Sequence, residues 1–286
     1  MVPARLFQLP ARCAVLALFL SACGGSSVPL APNASRLDSG RALPQARWIP
    51  TADESYQIQY SGKLDLSVNA KIYDLDMFDT PASVVKRLHA MKRRAMCYVD
   101  AGTWENWRPD ASKFPKSVLG EPDSGWKGER WLDVRQTRIL EPIMAHRLDL
   151  CKQKGFDGVD PDNLDGYQND TGFPLTYREQ LTYDAWVAKA AHDRGLTADQ
   201  KGDNGQVKDL VKVFDFAVVE QCYAQGWCKQ FDVYTNSNRL VVDVEYYADR
   251  QRFRNGNCSE ARKNKETAIL KKLQLTAWLL TCKNQG

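Results

Sequence analysis

The stretch Gly155-Phe156-Asp157-Gly158-Val159-Asp160-Pro161-Asp162-Asn163-Leu164-Asp165-Gly166-Tyr167 predicts a short apolar strand over residues 156–161 that runs into carboxyl and amide side chains. A long amphipathic helix over 135–154 precedes it and another over 177–194 follows, so this strand sits in an alternating helix and strand pattern. The alternation continues outward on both sides. Upstream, residues 70–78 and 94–100 read as strands, with a helix over 82–92 behind Pro81 whose apolar positions are Val84, Val85, Leu88 and Met91. Downstream, 196–200, 214–220 and 240–246 read as strands, 206–213 as a helix, and 273–280 as a strand that closes the sheet. Apolar strands alternating with helices imply a parallel sheet covered on both faces, which doubly wound and barrel folds both satisfy. No Gly-rich phosphate loop follows any strand: Gly155 and Gly158 come before theirs, and no Walker-type Gly-Lys-Ser/Thr occurs. The expected fold is therefore α/β, a single (β/α)8 TIM barrel, and the roughly 240 residues from Arg47 onward suit its size.

Composition narrows the function classes. The chain of 286 residues is 43% hydrophobic and 26% charged, which excludes disordered, collagen-like and coiled-coil chains. Lys+Arg 39 against Asp+Glu 35 leaves a formal +4, of which Arg5 and Arg12 supply two, too balanced for a nucleic-acid partner. The histidines are His89, His146 and His192, each on a stretch that reads as surface helix. Histidine zinc clusters and Ser/His/Asp triads are thus poorly supplied, and neither metal nor cofactor is expected.

Arg5 and Arg12 precede an apolar run over 14–20, too short to span a bilayer and laid out as a secretory signal. It ends in Leu20-Ser21-Ala22-Cys23, which resembles the bacterial lipoprotein signal, in which cleavage before the cysteine leaves it lipid-modified. Residues 1–22 are then a signal peptide and Cys23 a membrane tether. Residues 23–46, with Gly24-Gly25-Ser26-Ser27 and Pro29, Pro32 and Pro44, read as a flexible linker, and 47–286 as the folded domain. Gly24 is not the Asp that marks inner-membrane retention. The expectation is a monomer at the outer membrane, with its domain in the periplasm or at the cell surface. Outside the signal and the anchor the cysteines are Cys97, Cys151, Cys222, Cys228, Cys258 and Cys282, an even set suited to an oxidising compartment. Cys222 with Cys228 closes a short loop and is the first expected disulfide. Cys97 with Cys151 and Cys258 with Cys282 complete the set.

Most strands end in acids, amides and aromatics, at Asp74 and Asp76, Asp100, Asp160 to Asn163, Glu220 and Gln221, and Glu245 and Tyr246. In a barrel these ends converge on the active-site face. Helix capping accounts for one or two such acids; so many together is a costly concentration of like charge. An EF-hand spacing counted from Asp160 fails, because Leu164 stands where an oxygen ligand belongs and Asp165 where the glycine belongs. A carboxylate pair flanking a glycosidic bond is the better use, with Asp162 and Glu220 two strands apart on one rim. Glu220 ends the apolar run Phe216-Ala217-Val218-Val219, a setting that favours its protonated form. Tyr98, Trp104, Trp107, Tyr167, Tyr223 and Trp227 are candidates to stack on sugar faces.

Six ordered motifs carry a family resemblance: Tyr73 to Asp79, Cys97 to Asp110, Trp131-Leu132-Asp133-Val134-Arg135, Gly155 to Tyr167, Glu220-Gln221-Cys222 and Val244-Glu245-Tyr246. Together they resemble glycoside hydrolase family 114, the endo-α-1,4-polygalactosaminidases, over roughly residues 48–250. The resemblance implies a barrel that cleaves internal bonds of galactosamine-rich exopolysaccharide in biofilm settings, with Asp162 as nucleophile and Glu220 as general acid/base. Asp160 and Asp162 are exchangeable in that assignment, and retention of configuration is what the resemblance implies. Asp76, Tyr98, Asp100, Trp104, Glu105, Asp160, Asn163, Asp165, Lys201, Tyr223 and Glu245 are the implied substrate-binding residues. A rim rich in acids attracts a cationic amino-sugar polymer. Two positions depart from the family pattern: Gln200-Lys201-Gly202 stands in place of Leu-Lys-Asn, and Asp100 in place of Ser before Ala-Gly. The rival readings are a non-catalytic glycan-binding lipoprotein and a barrel hydrolase of another α-glycan.

Overall fold

The strands, in a computed structural model that describes residues 47–247 and 249–283, are β1 (Tyr56–Gln59), β2 (Ile72–Asp76), β3 (Arg94–Asp100), β4 (Thr103–Glu105), β5 (Leu119–Pro122), β6 (Glu129–Leu132), β7 (Gly158–Asp162), β8 (Thr197–Lys201), β9 (Phe216–Glu220), β10 (Val241–Glu245), β11 (Thr267–Leu270) and β12 (Leu280–Thr281). The helices are α1 (Ala82–Ala90), α2 (Thr137–Lys154), α3 (Tyr177–His192), α4 (Val207–Leu210), α5 (Cys222–Gln225), α6 (Asp232–Thr235), α7 (Arg250–Arg252) and α8 (Cys258–Asn264). All the described residues belong to one compact unit, Leu43–Gly286. The signal over 1–22, the lipidation site Cys23 and the linker over 23–46 lie outside the described residues.

One sheet runs β1-β2-β3-β7-β8-β9-β10-β11-β12, parallel through β11 and antiparallel at β12. Its eight parallel strands, following one another in chain order with helices between every pair but the first, make the curled sheet of a (β/α)8 TIM barrel. The edges β11 and β1 meet through side chains and a crossing loop. Thr267 Oγ1 donates to Glu54 O at 3.0 Å, Lys271 Nζ to Gln57 Oε1 at 2.8 Å, and Tyr60 N to Leu275 O at 3.0 Å. The closing parallel strand is thus Thr267–Leu270 and not residues 273–280. Leu275 takes a left-handed φ of 47°, which breaks an extended run, and only Leu280–Thr281 pairs, antiparallel. Two features had no counterpart in the sequence reading: strand β1, and a small antiparallel sheet β4-β6-β5 inserted between β3 and α2.

Period-two alternation sorts each strand between two cores. Tyr56, Ile58, Ile72, Met96, Phe216, Val218, Val242, Val244 and Ile269 fill the inside of the barrel. Tyr73, Leu75, Cys97, Val99, Val159 and Ala198 face the helix layer, against Leu88, Leu140, Met144 and Val187. Local signals set the helix ends. Thr176 and Glu179 form a reciprocal capping box at the start of α3, and Gly155, at φ 90°, ends α2 in the left-handed conformation that glycine tolerates best. Three disulfides join Cys97 to Cys151, Cys222 to Cys228 and Cys258 to Cys282, the pairing expected from the sequence.

Candidate active site

Alternation turns Asp160 and Asp162 of β7, Asp199 and Lys201 of β8, and Glu220 of β9 toward the barrel axis, while Val159, Ala198, Ala217 and Val219 face outward. Because β7, β8 and β9 are neighbours, Asp162, Lys201 and Glu220 finish side by side on the C-terminal rim. They line a cleft of about 270 Å³ together with Asn163, Leu164, Asp165, Gly202, Asp203, Asn204, Gln225 and Trp227. Each acid is followed by a non-glycine residue in left-handed conformation, Asn163 at φ 61° and Gln221 at φ 56°. Gly102 serves the first of these turns: a Cβ there would lie 1.6 Å from Asn163 O, so only glycine lets the chain leaving β3 pass beneath it.

Lys201 sits at the centre. Its Nζ is 3.1 Å from Asp160 Oδ2, 3.5 Å from Asp162 Oδ1 and 3.7 Å from Glu220 Oε1, and it lies over the Tyr98 ring at 5.6 Å. Burial opposes its charge, but Asp160, then Asp162 and Glu220, more than offset this and hold the ammonium well above the usual lysine range. Asp160 is wholly enclosed and accepts from Tyr60 Oη at 2.8 Å. Burial raises the pKa of its carboxyl, yet Lys201 and its hydrogen bonds bring the net below the usual range. Glu220 is raised, first by desolvation and then by Asp162, with Lys201 and a hydrogen bond from Tyr246 acting the other way. Asp165 is raised by burial, and burial pushes Asp203 up to about 7 even though it accepts from Tyr167 Oη at 3.0 Å and Gln168 Nε2 at 2.8 Å.

Of the residues singled out from sequence, Asp162, Asn163, Asp165, Lys201, Glu220 and Trp227 meet in the cleft, and Asp160 and Tyr98 lie directly under it. Trp107 is exposed on the surface, and the remaining acids and aromatics hold the scaffold. Asp76 accepts from Phe78 N and Asp79 N at 2.8 and 2.9 Å and pairs with Arg108, and it borders a separate depression beside Gln59 and Tyr60. Asp100 accepts from Thr103 N at 2.8 Å and from Asn163 Nδ2 at 3.2 Å, so it fixes Asn163 rather than facing the cleft. Glu105 pairs with Arg108, and Trp104 Nε1 donates to Ala111 O at 3.0 Å. Asp100, Glu105 and Glu129 bring carboxylate oxygens within 4.8 Å of one another, with Asp100 accepting from Thr103 N and Glu105 from Arg108 Nε. Tyr223 turns its hydroxyl to Glu266. Glu245 accepts from Tyr223 N at 3.1 Å and Ala224 N at 3.0 Å, anchoring the start of α5. The reason is parity: Val242 and Val244 point inward, so Glu245 points to the helix layer. Tyr246 is the inward residue, and it reaches Glu220. Tyr60, Asp199 and Asp203 escaped the sequence reading, which placed Asp74 and Tyr246 at strand ends without giving either a role; the two-residue period flags Asp199 and Tyr246.

The sequence profile of glycoside-hydrolase family GH114 matches residues 38–286, a longer span than the motifs cover. The chain belongs to glycoside-hydrolase family GH114. The crystal structure of Aspergillus fumigatus Ega3 in complex with galactosamine superposes on this GH114 barrel with a TM-score of 0.79 at 33% identity, covering 83% of this chain and 98% of that one. The glycoside hydrolase domain of PelA from Pseudomonas aeruginosa gives a TM-score of 0.64 at 13% identity, over 79% of this chain and 98% of that one, a likeness of fold. An uncharacterized protein of Deinococcus radiodurans is 30% identical over 209 residues, 65% of this chain, and the match spans 65% of that relative's length.

Proposed function

We propose that this family 114 glycoside hydrolase is endo-acting and cleaves α-1,4-galactosaminidic bonds in galactosamine-rich exopolysaccharide. The observation that carries the proposal is the placement of Asp162 and Glu220 in one cleft on either side of Lys201. Asp160 has no exposed surface, whereas the Asp162 side chain is 25% exposed, which favours Asp162 as the group that meets substrate. Glu220, its pKa raised and its side chain facing the cleft, is the proton donor. In the first step an Asp162 oxygen bonds to the anomeric carbon as the glycosidic C–O bond breaks and the Glu220 proton passes to the leaving oxygen. In the second, Glu220 takes a proton from water, whose oxygen displaces Asp162 from the anomeric carbon. Lys201 contacts both carboxyl groups and holds them in place relative to each other. Its two contacts confine Asp162 Oδ1 and Glu220 Oε1 to within about 7 Å of each other, which admits the roughly 5–5.5 Å of retaining enzymes and cuts off most of the roughly 6.5–9.5 Å of inverting ones.

The galactosamine bound in the Ega3 crystal supports an amino-sugar substrate, and the Asp162 carboxyl in the cleft suits its ammonium group. The same reading has the chain exported and tethered through a lipid at Cys23. Three disulfides fit an oxidising compartment, and among the described residues no helix is long and apolar enough to cross a membrane. Release of oligosaccharides from partially deacetylated α-1,4-galactosaminogalactan by the chain lacking residues 1–22 is the test. Wild type yields oligosaccharides, and Asp162→Asn and Glu220→Gln each lose about a thousandfold or more. Polymer bound but uncut would favour the glycan-binding lipoprotein; cleavage of a different α-glycan alone would overturn the substrate.

A further inference from the structure

Beneath the cleft, Asp74, Asp160 and Asp199 are gathered inside the barrel, each with no exposed surface. Tyr56 Oη and Tyr60 Oη each lie 2.9 Å from Asp74 Oδ2, and Tyr60 Oη and Lys201 Nζ lie 2.8 and 3.1 Å from Asp160 Oδ2. The remaining oxygens, Asp74 Oδ1, Asp160 Oδ1 and both oxygens of Asp199, receive no protein N–H or O–H among the described residues. Asp160 and Asp199 stand side by side on the paired strands β7 and β8, each two residues beyond the paired Gly158 and Thr197, and Tyr60 Oη bridges Asp74 and Asp160, which brings the three carboxyl groups together. Two carboxyl groups hydrogen-bond only when a proton lies between them, because an ionised carboxylate is an acceptor alone. Three ionised aspartates against one ammonium would leave a buried excess of negative charge that no solvent screens. With protons on Asp74 and Asp199, the three acids carry a single negative charge, on Asp160, and Lys201 balances it.

We propose that Asp199 is a positioning residue: it stays protonated inside the barrel, donates to Asp160, and through Asp160 fixes the Lys201 ammonium between Asp162 and Glu220. The position explains the role. Asp199 precedes Lys201 by two residues on the same inward row of β8, so its charge acts directly on the Lys201 side chain. It holds no backbone N–H and no surface partner among the described residues, so its purpose in this site is the proton it gives Asp160. An ionised Asp199 would add a second negative charge below Lys201 and draw the ammonium away from the two rim carboxylates. Burial, with Asp160 and Asp74 nearby, raises Asp199 and Asp74 well above the usual carboxyl range, in keeping with this arrangement.

This inference rests on the hydrolase reading for its kinetic consequence but not for its proton. Asp199→Asn preserves a neutral donor to Asp160; Asp199→Leu removes it at similar volume. In the chain lacking residues 1–22, the infrared band of protonated carboxyl groups at pH 8 is expected to weaken in Asp199→Asn, relative to wild type. Crystal structures are expected to show Lys201 Nζ still bonded to Asp160 in Asp199→Asn and displaced in Asp199→Leu. On the galactosamine polymer, Asp199→Asn keeps kcat close to wild type, whereas Asp199→Leu loses about 100-fold in kcat with KM little changed. An infrared band that Asp199→Asn leaves untouched, or a Lys201 that stays in place in Asp199→Leu, overturns the proposal. If wild type cuts no polymer, the infrared and crystallographic results still decide the proton and the lysine, and only the hydrolase reading falls. Should Asp199→Leu fail to fold, the band in Asp199→Asn remains decisive.

Discussion

Glu220 and Tyr246 show at the residue scale how one hydroxyl tunes an acid. The Tyr246 side chain lies by Glu220, and its hydroxyl favours the ionised form of the acid, against the desolvation that raises it. Removing that donor must therefore raise the Glu220 carboxyl further. Tyr246→Phe is expected to shift the alkaline limb of kcat/KM to higher pH, by up to about one unit, while the acidic limb stays; a limb unmoved or moved down would contradict the assigned bond. The resemblance assigns substrate binding on this strand to Glu245 and gives the neighbouring Tyr246 no role, although the direction of the side chain, not its charge, decides which of the two enters the barrel. Counting from the apolar pair Val242 and Val244 would have corrected this, since period two sends residue 246 the same way. Asp199 was legible by the same count from Lys201. Tyr60 was not, because it reaches Asp160 from a loop after β1 that no local pattern places.

At the scale of elements, the parallel order β7-β8-β9 brings one rim residue from each strand to a common point, and the strand spans read from sequence place these three within a residue or two. The pairing of β3 with α2 is stapled by Cys97 and Cys151, 54 residues apart. A loop of that length loses chain entropy worth about 4 kcal/mol when closed. The double variant Cys97→Ala with Cys151→Ala is expected to lose stability of that order in denaturant unfolding under oxidising conditions, with the barrel's far-ultraviolet spectrum retained. An unchanged midpoint would show that the disulfide constrains nothing the fold does not already constrain. Where the element reading failed, the failing segments are short or irregular. β1 has four residues, β4 three, and the closing strand was misplaced into a segment that Leu275 bends.

Across the whole molecule, buried acids set an unusual dependence of stability on pH. Burial pushes Glu129, Asp203 and Glu266 up to about 7 each, against roughly 4 in an unfolded chain. Their folded values exceed their unfolded ones, so the native state keeps protons that the unfolded state has released. The stability they contribute is fully present below about pH 4 and is lost as pH rises through about 7. Lys271 has the opposite sign. Burial pushes it down to about 7, so above that pH the unfolded chain binds more protons and this group makes stability rise. The melting temperature is therefore expected to fall from pH 5 to pH 7, with Lys271 opposing any further fall above that pH; a rise from pH 5 to pH 7 in calorimetry would refute the balance. The sequence by itself determined the alternation of helix and strand, hence the barrel, the convergence of acids on one rim and the family, because these rest on local periodicity and on motifs contiguous in the chain. Tertiary structure alone decided which acids face the cleft and which cap helices, that Lys201 is shared by three carboxylates, and how β11 meets β1. Those outcomes depend on which face of a strand a side chain takes and on contacts between residues far apart in the chain, where desolvation and Coulomb energy act only once the barrel has closed.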